Sequence, residues 1–257
     1  MEPFRELCKL AGRAVGEYRM IDEGDRILVG LSGGKDSFAL LHVLHHLRRH
    51  APISFSVIAA TFDPGFPGFR ADAVAAYCRE RRWEHRIVQL PVAEILREKQ
   101  FENSPCVLCS RLRRGKLYGL AAQLGCGKLA LGQHLDDAAV SFLMSLCRGQ
   151  GLTTMGPNVL AKSDGAIRII RPLIFAPEEL IRRAAAGLDL PTAGECAYRS
   201  TLESGDRAYF RALLDQLSER IPDLRSQLLR SLSNLQPAHL LDPAYLHLED
   251  SSAKGTD

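Results

Sequence analysis

The chain has 257 residues, 46% of them hydrophobic, and a formal net charge of +3 at pH 7, enough for a large domain with a buried core and too nearly neutral for net charge to argue for a nucleic-acid partner. It contains no run of about 18 apolar residues, and Met1-Glu2-Pro3-Phe4-Arg5-Glu6 lacks a basic start followed by an apolar stretch, so a cytoplasmic protein is expected. Seven cysteines, an odd number, fit a reducing compartment better than a disulfide framework.

Apolar runs alternate with amphipathic helical patterns along the chain, which predicts an α/β fold: a doubly wound, mainly parallel sheet with helices on both faces. The stretch Ile27-Leu28-Val29-Gly30-Leu31 reads as a first strand and Phe38 to Leu44 as the helix after it. Phe55 to Phe62 reads as a second strand ending at the turn signal Asp63-Pro64-Gly65, with a helix over Phe69 to Arg82 and a weaker strand over His85 to Leu90. Lys116 to Leu124 is helical, Lys128 to Gly132 a short strand, and Asp136 to Cys147 helical with Val140, Leu143 and Met144 at core spacing. Gly149 to Gly165 reads as a loop, Ile167 to Ile170 as a final strand and Glu178 to Ala186 as a helix. Beyond Pro191 the alternation gives way to helices around Ala208 to Leu217 and Leu224 to Leu235, and the tail after Asp250 is expected to fray. The division is therefore residues 1–190, an α/β domain, and 191–257, a helical region packed on it.

Between the first strand and its helix lies Ser32-Gly33-Gly34-Lys35-Asp36-Ser37. Glycines that let backbone N–H groups converge, a helix N-terminus with its partial positive charge and the full charge of Lys35 make a nest for an ATP phosphate tail. A Walker loop is excluded, because it needs Gly where Val29 stands and Ser or Thr where Asp36 stands. What remains resembles the pyrophosphatase loop, which implies splitting of ATP into AMP and pyrophosphate and adenylation of a substrate oxygen. A second turn, Gly132-Gln133-His134-Leu135-Asp136-Asp137, and Asp63 each follow a strand. In a parallel sheet both lie beside the first loop, where Asp136 and Asp137 could hold Mg²⁺, a hard ion that prefers oxygen, while Asp136 could equally cap the helix it opens.

Cys106-Val107-Leu108-Cys109 runs into Ser110-Arg111-Leu112-Arg113-Arg114-Gly115-Lys116. A C-x-x-C pair can be half a zinc site, a redox pair or part of an iron–sulfur site, and closed structural zinc is the weaker choice because no second pair completes it. Cys8, Cys78, Cys126 and Cys147 sit within or near predicted helices and read as inert small apolar residues. From Pro105 through Leu135, Arg111, Arg113, Arg114, Lys116 and Lys128 face no Asp or Glu, a one-signed patch suited to a phosphate backbone. Arg199, Arg207, Arg211, Arg220, Arg225 and Arg230 also decorate the C-terminal segment, with acids interspersed. Tyr118 and Tyr198 are candidates to stack on an unpaired base.

These motifs, with Asp63 to Gly68 and Asn234-Leu235-Gln236-Pro237-Ala238-His239-Leu240, are similar in kind and order to the tRNA 2-thiocytidine synthetase family. The resemblance implies an enzyme that uses ATP and Mg²⁺ to replace the C2 oxygen of a tRNA cytidine, at position 32, by sulfur. It implies that Cys196 joins Cys106 and Cys109 around a [4Fe-4S] cluster, and that Ser32 to Ser37, Asp63, Gly132, His134, Asp136 and Asp137 bind ATP. Lys35, Asp36, Asp137 and the three cysteines would carry the chemistry, and Arg111, Arg113, Arg114 and Lys116 would bind tRNA. Its partners would be tRNA and a sulfur donor such as a cysteine desulfurase, with no membrane and with a homodimer left open. Two departures stand out: family members carry two histidines where this chain has Gln133 and His134, and the surroundings of the third cysteine differ in Gly194-Glu195-Cys196-Ala197-Tyr198. Rival readings are thiolation of another base, a cluster-free adenylating tRNA enzyme, and a non-catalytic RNA- or metal-binding protein regulated by nucleotide.

Overall fold

The computed structural model describes residues 2–66, 68–98, 105–161, 167–194 and 205–245, with the backbone alone at 97–98 and 105–107. In chain order it contains α1 (Glu2–Glu17), β1 (Arg26–Leu31), α2 (Lys35–His50), β2 (Ser56–Asp63), α3 (Ala71–Glu80), β3 (Glu84–Gln89), α4 (Val92–Glu98), α5 (Pro105–Gln123), β4 (Lys128–Ala130) and α6 (Leu135–Cys147). Then follow β5 (Asn158–Leu160), β6 (Arg168–Ile170), α7 (Glu178–Ala185), α8 (Asp206–Ser218) and α9 (Leu224–Ser233). The strands form one sheet in the order β3-β2-β1-β4-β6-β5, parallel except for β5 at the edge. This is the expected doubly wound architecture.

Both sheet faces are covered, and the central strands are apolar on both sides for that reason. Ile27, Val29 and Leu31 of β1 join Phe38, Leu41 and Leu44 of α2 in one core, while Leu28, Ile58 and Ala60 join Leu117 and Ala121 of α5 in the other. A third cluster joins Val140 and Leu143 of α6 to Phe210, Leu214 and Leu224 of α8 and α9. The chain winds outward from β1 in one direction through β2 and β3, and from β4 in the other through β6. The crevice at the carboxyl ends of β1 and β4 is thus the topological switch point, where open α/β sheets receive ligands. Among the described residues no helix is long and apolar enough to cross a membrane.

Several of these expectations need correction. The stretch read as a loop over Gly149 to Gly165 contains β5, three residues pairing antiparallel with β6 and too short to show a period. Helix α5 begins at Pro105, well before Lys116, because Gly115 and the arginines interrupt its apolar pattern; α1 and α4 escaped notice, α1 because small Ala11 and Ala14 make up half of its buried residues. Lys128 does not belong to the basic patch: it is buried at the amino end of β4, 2.7 Å from Asp22 and 2.8 Å from Asp25. Tyr118 is buried in the core and cannot stack on a base, and Cys147 is exposed, unlike buried Cys8, Cys78 and Cys126. Tyr198, Arg199, Cys196 and the tail after Asp250 lie outside the described residues.

Candidate active site at the carboxyl edge of the sheet

Ser32 to Gly34 connects β1 to α2, and its serines hold its shape. Ser37 Oγ accepts from Ser32 N at 3.2 Å and donates to Gly34 O at 2.9 Å, while Ser32 Oγ accepts from Gly34 N at 3.3 Å. Gly33 has φ +86°, a left-handed conformation that side chains disfavour, and a Cβ there would overlap the Cβ of Ala193. The amides that open α2 have no intrahelical acceptor and remain available to an anion.

The second turn lies against this loop. A Cβ on Gly132 would come 2.9 Å from the carbonyl carbon of Asp36 and 3.0 Å from Ser37 N, so only glycine lets the two backbones meet. His134 is buried, and Asp137 Oδ2 accepts from His134 N at 3.3 Å. Asp136 does not cap its own helix: its Oδ2 accepts from Glu178 N at 2.7 Å and so caps α7, while its Oδ1 lies 2.7 Å from Arg225 Nε. Gln133 Oε1 accepts from buried Arg171 at 2.5 Å. Asp63, at the end of β2, accepts from Gly65 N at 3.0 Å and from Gln89 Nε2 at 3.4 Å.

Sequence reasoning overlooked the groups that complete this acidic cluster. Lys35 Nζ lies 2.8 Å from Glu178 Oε1 and 3.1 Å from Asp36 Oδ1, and Arg211 pairs with Glu178 Oε2. Arg211 and Arg207 stand 3.7 and 3.8 Å from Asp137 Oδ1. Two signals were present: Arg207 and Arg211 are spaced i, i+4 on one helix face, and Glu178 opens the helix that follows the last strand. Burial pushes the Glu178 carboxyl up, but hydrogen bonds from Lys35 and Arg211 outweigh it and leave the group below its usual range. Burial likewise opposes the charge of Lys35 and His134, yet Glu178 and Asp36 raise the first, and Asp136, Asp137 and Asp36 raise the second.

Burial also works against ionised Asp136, and the His134 side chain and Glu178 N overcome it, bringing the carboxyl down to about 2. A carboxyl lowered by folding adds stability above its unfolded value and loses it as pH falls through the folded one, here roughly 2 kcal/mol between about pH 4 and pH 2. Asp136→Asn should therefore unfold at lower urea than wild type at pH 6, with the gap closing toward pH 2. A gap that stays constant over that range would rule out this origin.

The cysteine motif reaches the same edge. Cys109, half-buried on α5, lines a cavity of about 100 Å³ with Ser32, Phe62, Phe66, Phe69, Arg113 and Gly194. Arg111, Arg114 and Lys116 are exposed, so Arg113 alone of the four turns toward the cavity. Cys106 stands one turn before Cys109 and its side chain lies outside the described residues; Gly194, the last of the described segment 167–194, precedes Cys196 by two positions. Among the described residues no three His, Cys, Asp or Glu side chains are grouped as metal ligands.

A phosphate nest between β1 and α2, at the switch point of a parallel sheet, defines a PP-loop ATP-binding domain, and the PP-loop domain model matches residues 8–190. The chain is 44% identical to a tRNA-cytidine(32) 2-sulfurtransferase of Syntrophotalea carbinolica, covering 93% of this chain and 92% of the relative, and 41% identical to one of Geobacter metallireducens, covering 93% of each. It belongs to the family of the tRNA-cytidine(32) 2-sulfurtransferases. Among solved structures it resembles the U34-tRNA thiolase NcsA of Methanococcus maripaludis with its [4Fe-4S] cluster, with a TM-score of 0.74 and 25% identity over 100% of this chain and 84% of that one.

Proposed function

We propose that the chain is an ATP-dependent tRNA sulfurtransferase that replaces the C2 oxygen of cytidine 32 by sulfur. The observation that carries this reading is the cavity in which Ser32 of the phosphate loop, Cys109 and Arg113 meet. A pyrimidine C2 oxygen is a poor leaving group. Its attack on the α-phosphorus of ATP expels pyrophosphate and makes it an adenylate; sulfide then adds at C2, and the C2–O bond breaks to release AMP. Lys35 and the loop amides stabilise charge gathering on pyrophosphate, and Ser32 and Ser37 keep those amides aimed. Asp137, whose Oδ2 takes His134 N but whose Oδ1 meets only Arg207 and Arg211 at 3.8 and 3.7 Å, is the carboxylate to hold Mg²⁺, whereas Asp136 is committed to Arg225 and α7.

The donors suit a cluster: Cys109 is a soft thiolate ligand at the cavity wall, Cys106 is one helical turn away, and Gly194 on the same wall leads to Cys196. Held by these three, a [4Fe-4S] cluster would supply an iron site able to carry the incoming sulfide, delivered by a donor such as a cysteine desulfurase. The test is anaerobic purification with iron and sulfide analysis, followed by incubation with tRNA, Mg-ATP and sulfide and mass spectrometry of the nucleosides. Thiocytidine at position 32 is expected. Thiouridine at position 34, the second reading suggested by the likeness to NcsA, or no thiolated product would displace it.

The exposed arginines address the RNA. Reversing Arg111 and Arg114 to Glu should weaken tRNA binding and flatten its salt dependence by about one unit of slope for each phosphate no longer neutralised, with ATP affinity kept. Filter binding across a salt series measures this, and an unchanged slope would assign both residues to a solvated face.

A further inference from the structure

One anion already sits between two cations at the phosphate loop. The Glu178 carboxylate takes Lys35 on Oε1 at 2.8 Å and Arg211 on Oε2. A carboxylate held on both oxygens by separate cations has the charge sign and acceptor pattern of a phosphate group. Lys35 is the loop's own phosphate ligand, so a nucleotide that enters must take Lys35 from Glu178, and Arg211 stands across the same anion.

The neighbouring arginines show which pairings are free to exchange. Arg225 is fixed: Nε is 2.7 Å from Asp136 with side chains 21% and 13% exposed, and Nη1 donates to Ser218 Oγ at 2.8 Å. Arg211 pairs closely with Glu178 Oε2 but is 42% exposed, with Glu178 33% exposed and Asp137 3.7 Å away, and ion pairs this open to solvent exchange at little cost. The cations Lys35, Arg207, Arg211 and Arg225 are each already paired with a carboxylate, drawn from Asp36, Asp136, Asp137, Asp215 and Glu178. Glu178 cancels the charge that Lys35 and Arg211 would offer the departing phosphates, and its withdrawal releases that charge.

We propose that Arg211 is a second cationic ligand of the β- and γ-phosphates of ATP, and that Glu178 is a built-in anion occupying their place between Lys35 and Arg211 until nucleotide displaces it. The proposal rests on the ATP-binding reading above. When ATP enters, Lys35 and Arg211 pass from the carboxylate to phosphoryl oxygens while Glu178 N stays bonded to Asp136, so the side chain withdraws and α7 keeps its cap. As the bond from the α-phosphorus to the bridging oxygen breaks, Arg211 faces the charge that collects on pyrophosphate. The helix carrying Arg211 thereby becomes part of the ATP site although it follows the sheet in sequence.

Calorimetric titration of the full chain with inorganic pyrophosphate and, separately, with AMP tests this. Glu178→Gln should bind pyrophosphate about tenfold more tightly and Arg211→Ala about tenfold more weakly, with Arg211→Lys between wild type and Arg211→Ala and AMP affinity within about twofold throughout. Weaker pyrophosphate binding by Glu178→Gln would overturn the proposal, since that is the result for a carboxylate that aims Lys35 at the phosphates. A parallel loss of AMP binding would overturn it as well, as general damage to the site. Binding to wild type that neither substitution alters sinks this proposal alone; a wild-type chain that binds neither ligand sinks the ATP-binding reading with it.

Discussion

Cys109→Ser is expected to remove iron and thiolation together while leaving ATP affinity unchanged. Cys109 lines the cavity beside Ser32, while the loop's shape is held by Ser32 and Ser37, so a change from thiol to hydroxyl leaves the nest intact. A hydroxyl is a poor substitute for a soft thiolate, and loss of a direct ligand should exceed the ~10–100-fold penalty of losing an outer-shell partner. Cys106→Ser and Cys196→Ser should behave alike. Cys8 and Cys78 should tolerate the change to a small residue, since burial pushes both thiols up to about 11 and keeps them protonated and inert. Cys147 is exposed, but it ends a 13-residue helix that begins at the site, about 18 Å away along the axis. Iron analysis and nucleoside mass spectrometry of the seven Ser variants measure this. Full iron content and full thiolation in Cys196→Ser would remove that residue from the ligand set.

Lys35→Ala should lower pyrophosphate release by about 10²–10³-fold, the usual cost of losing one preorganised donor to a developing anion. The fold should survive. The Lys35 side chain is 32% exposed and its partner Glu178 keeps Arg211, so no carboxylate is left buried and unpaired, and the stability cost should stay near the ~1 kcal/mol of a surface pair. Wild-type pyrophosphate release by a folded variant would take the loop out of the mechanism; an unfolded variant would mean that Lys35 supports the structure instead.

The parts of the site that could be read in the sequence are those that are local. Ser32 to Ser37 and Gly132 to Asp137 are each contiguous, and alternation of strand and helix places both at one sheet edge without knowledge of any distant contact. Glu178 is different: it reaches Lys35 across 143 positions and Arg211 across 33, and nothing in its neighbourhood announces either partner. Lys128 shows the same limit from the opposite side. Its charge looked like part of an RNA-facing stripe, but burial and pairing with Asp22 and Asp25 at the far end of the sheet belong to tertiary structure. Short β5 was illegible for a third reason, since three residues cannot display a period and its pairing with β6 is non-local.

The contact of Gly33 with Ala193 has a consequence for how the sequence can change over time. Ala193 is buried, its carbonyl accepts from Arg70 N at 2.9 Å, and its methyl group fills the space that a Cβ on Gly33 would need. Gly33 cannot gain a side chain while Ala193 keeps its own, and the Ala193 methyl group in turn depends on the bare backbone at Gly33. Related sequences should therefore inherit the two as a linked pair, and drift in the approach to Cys196 should be curbed by a loop that lies 160 positions earlier in the chain.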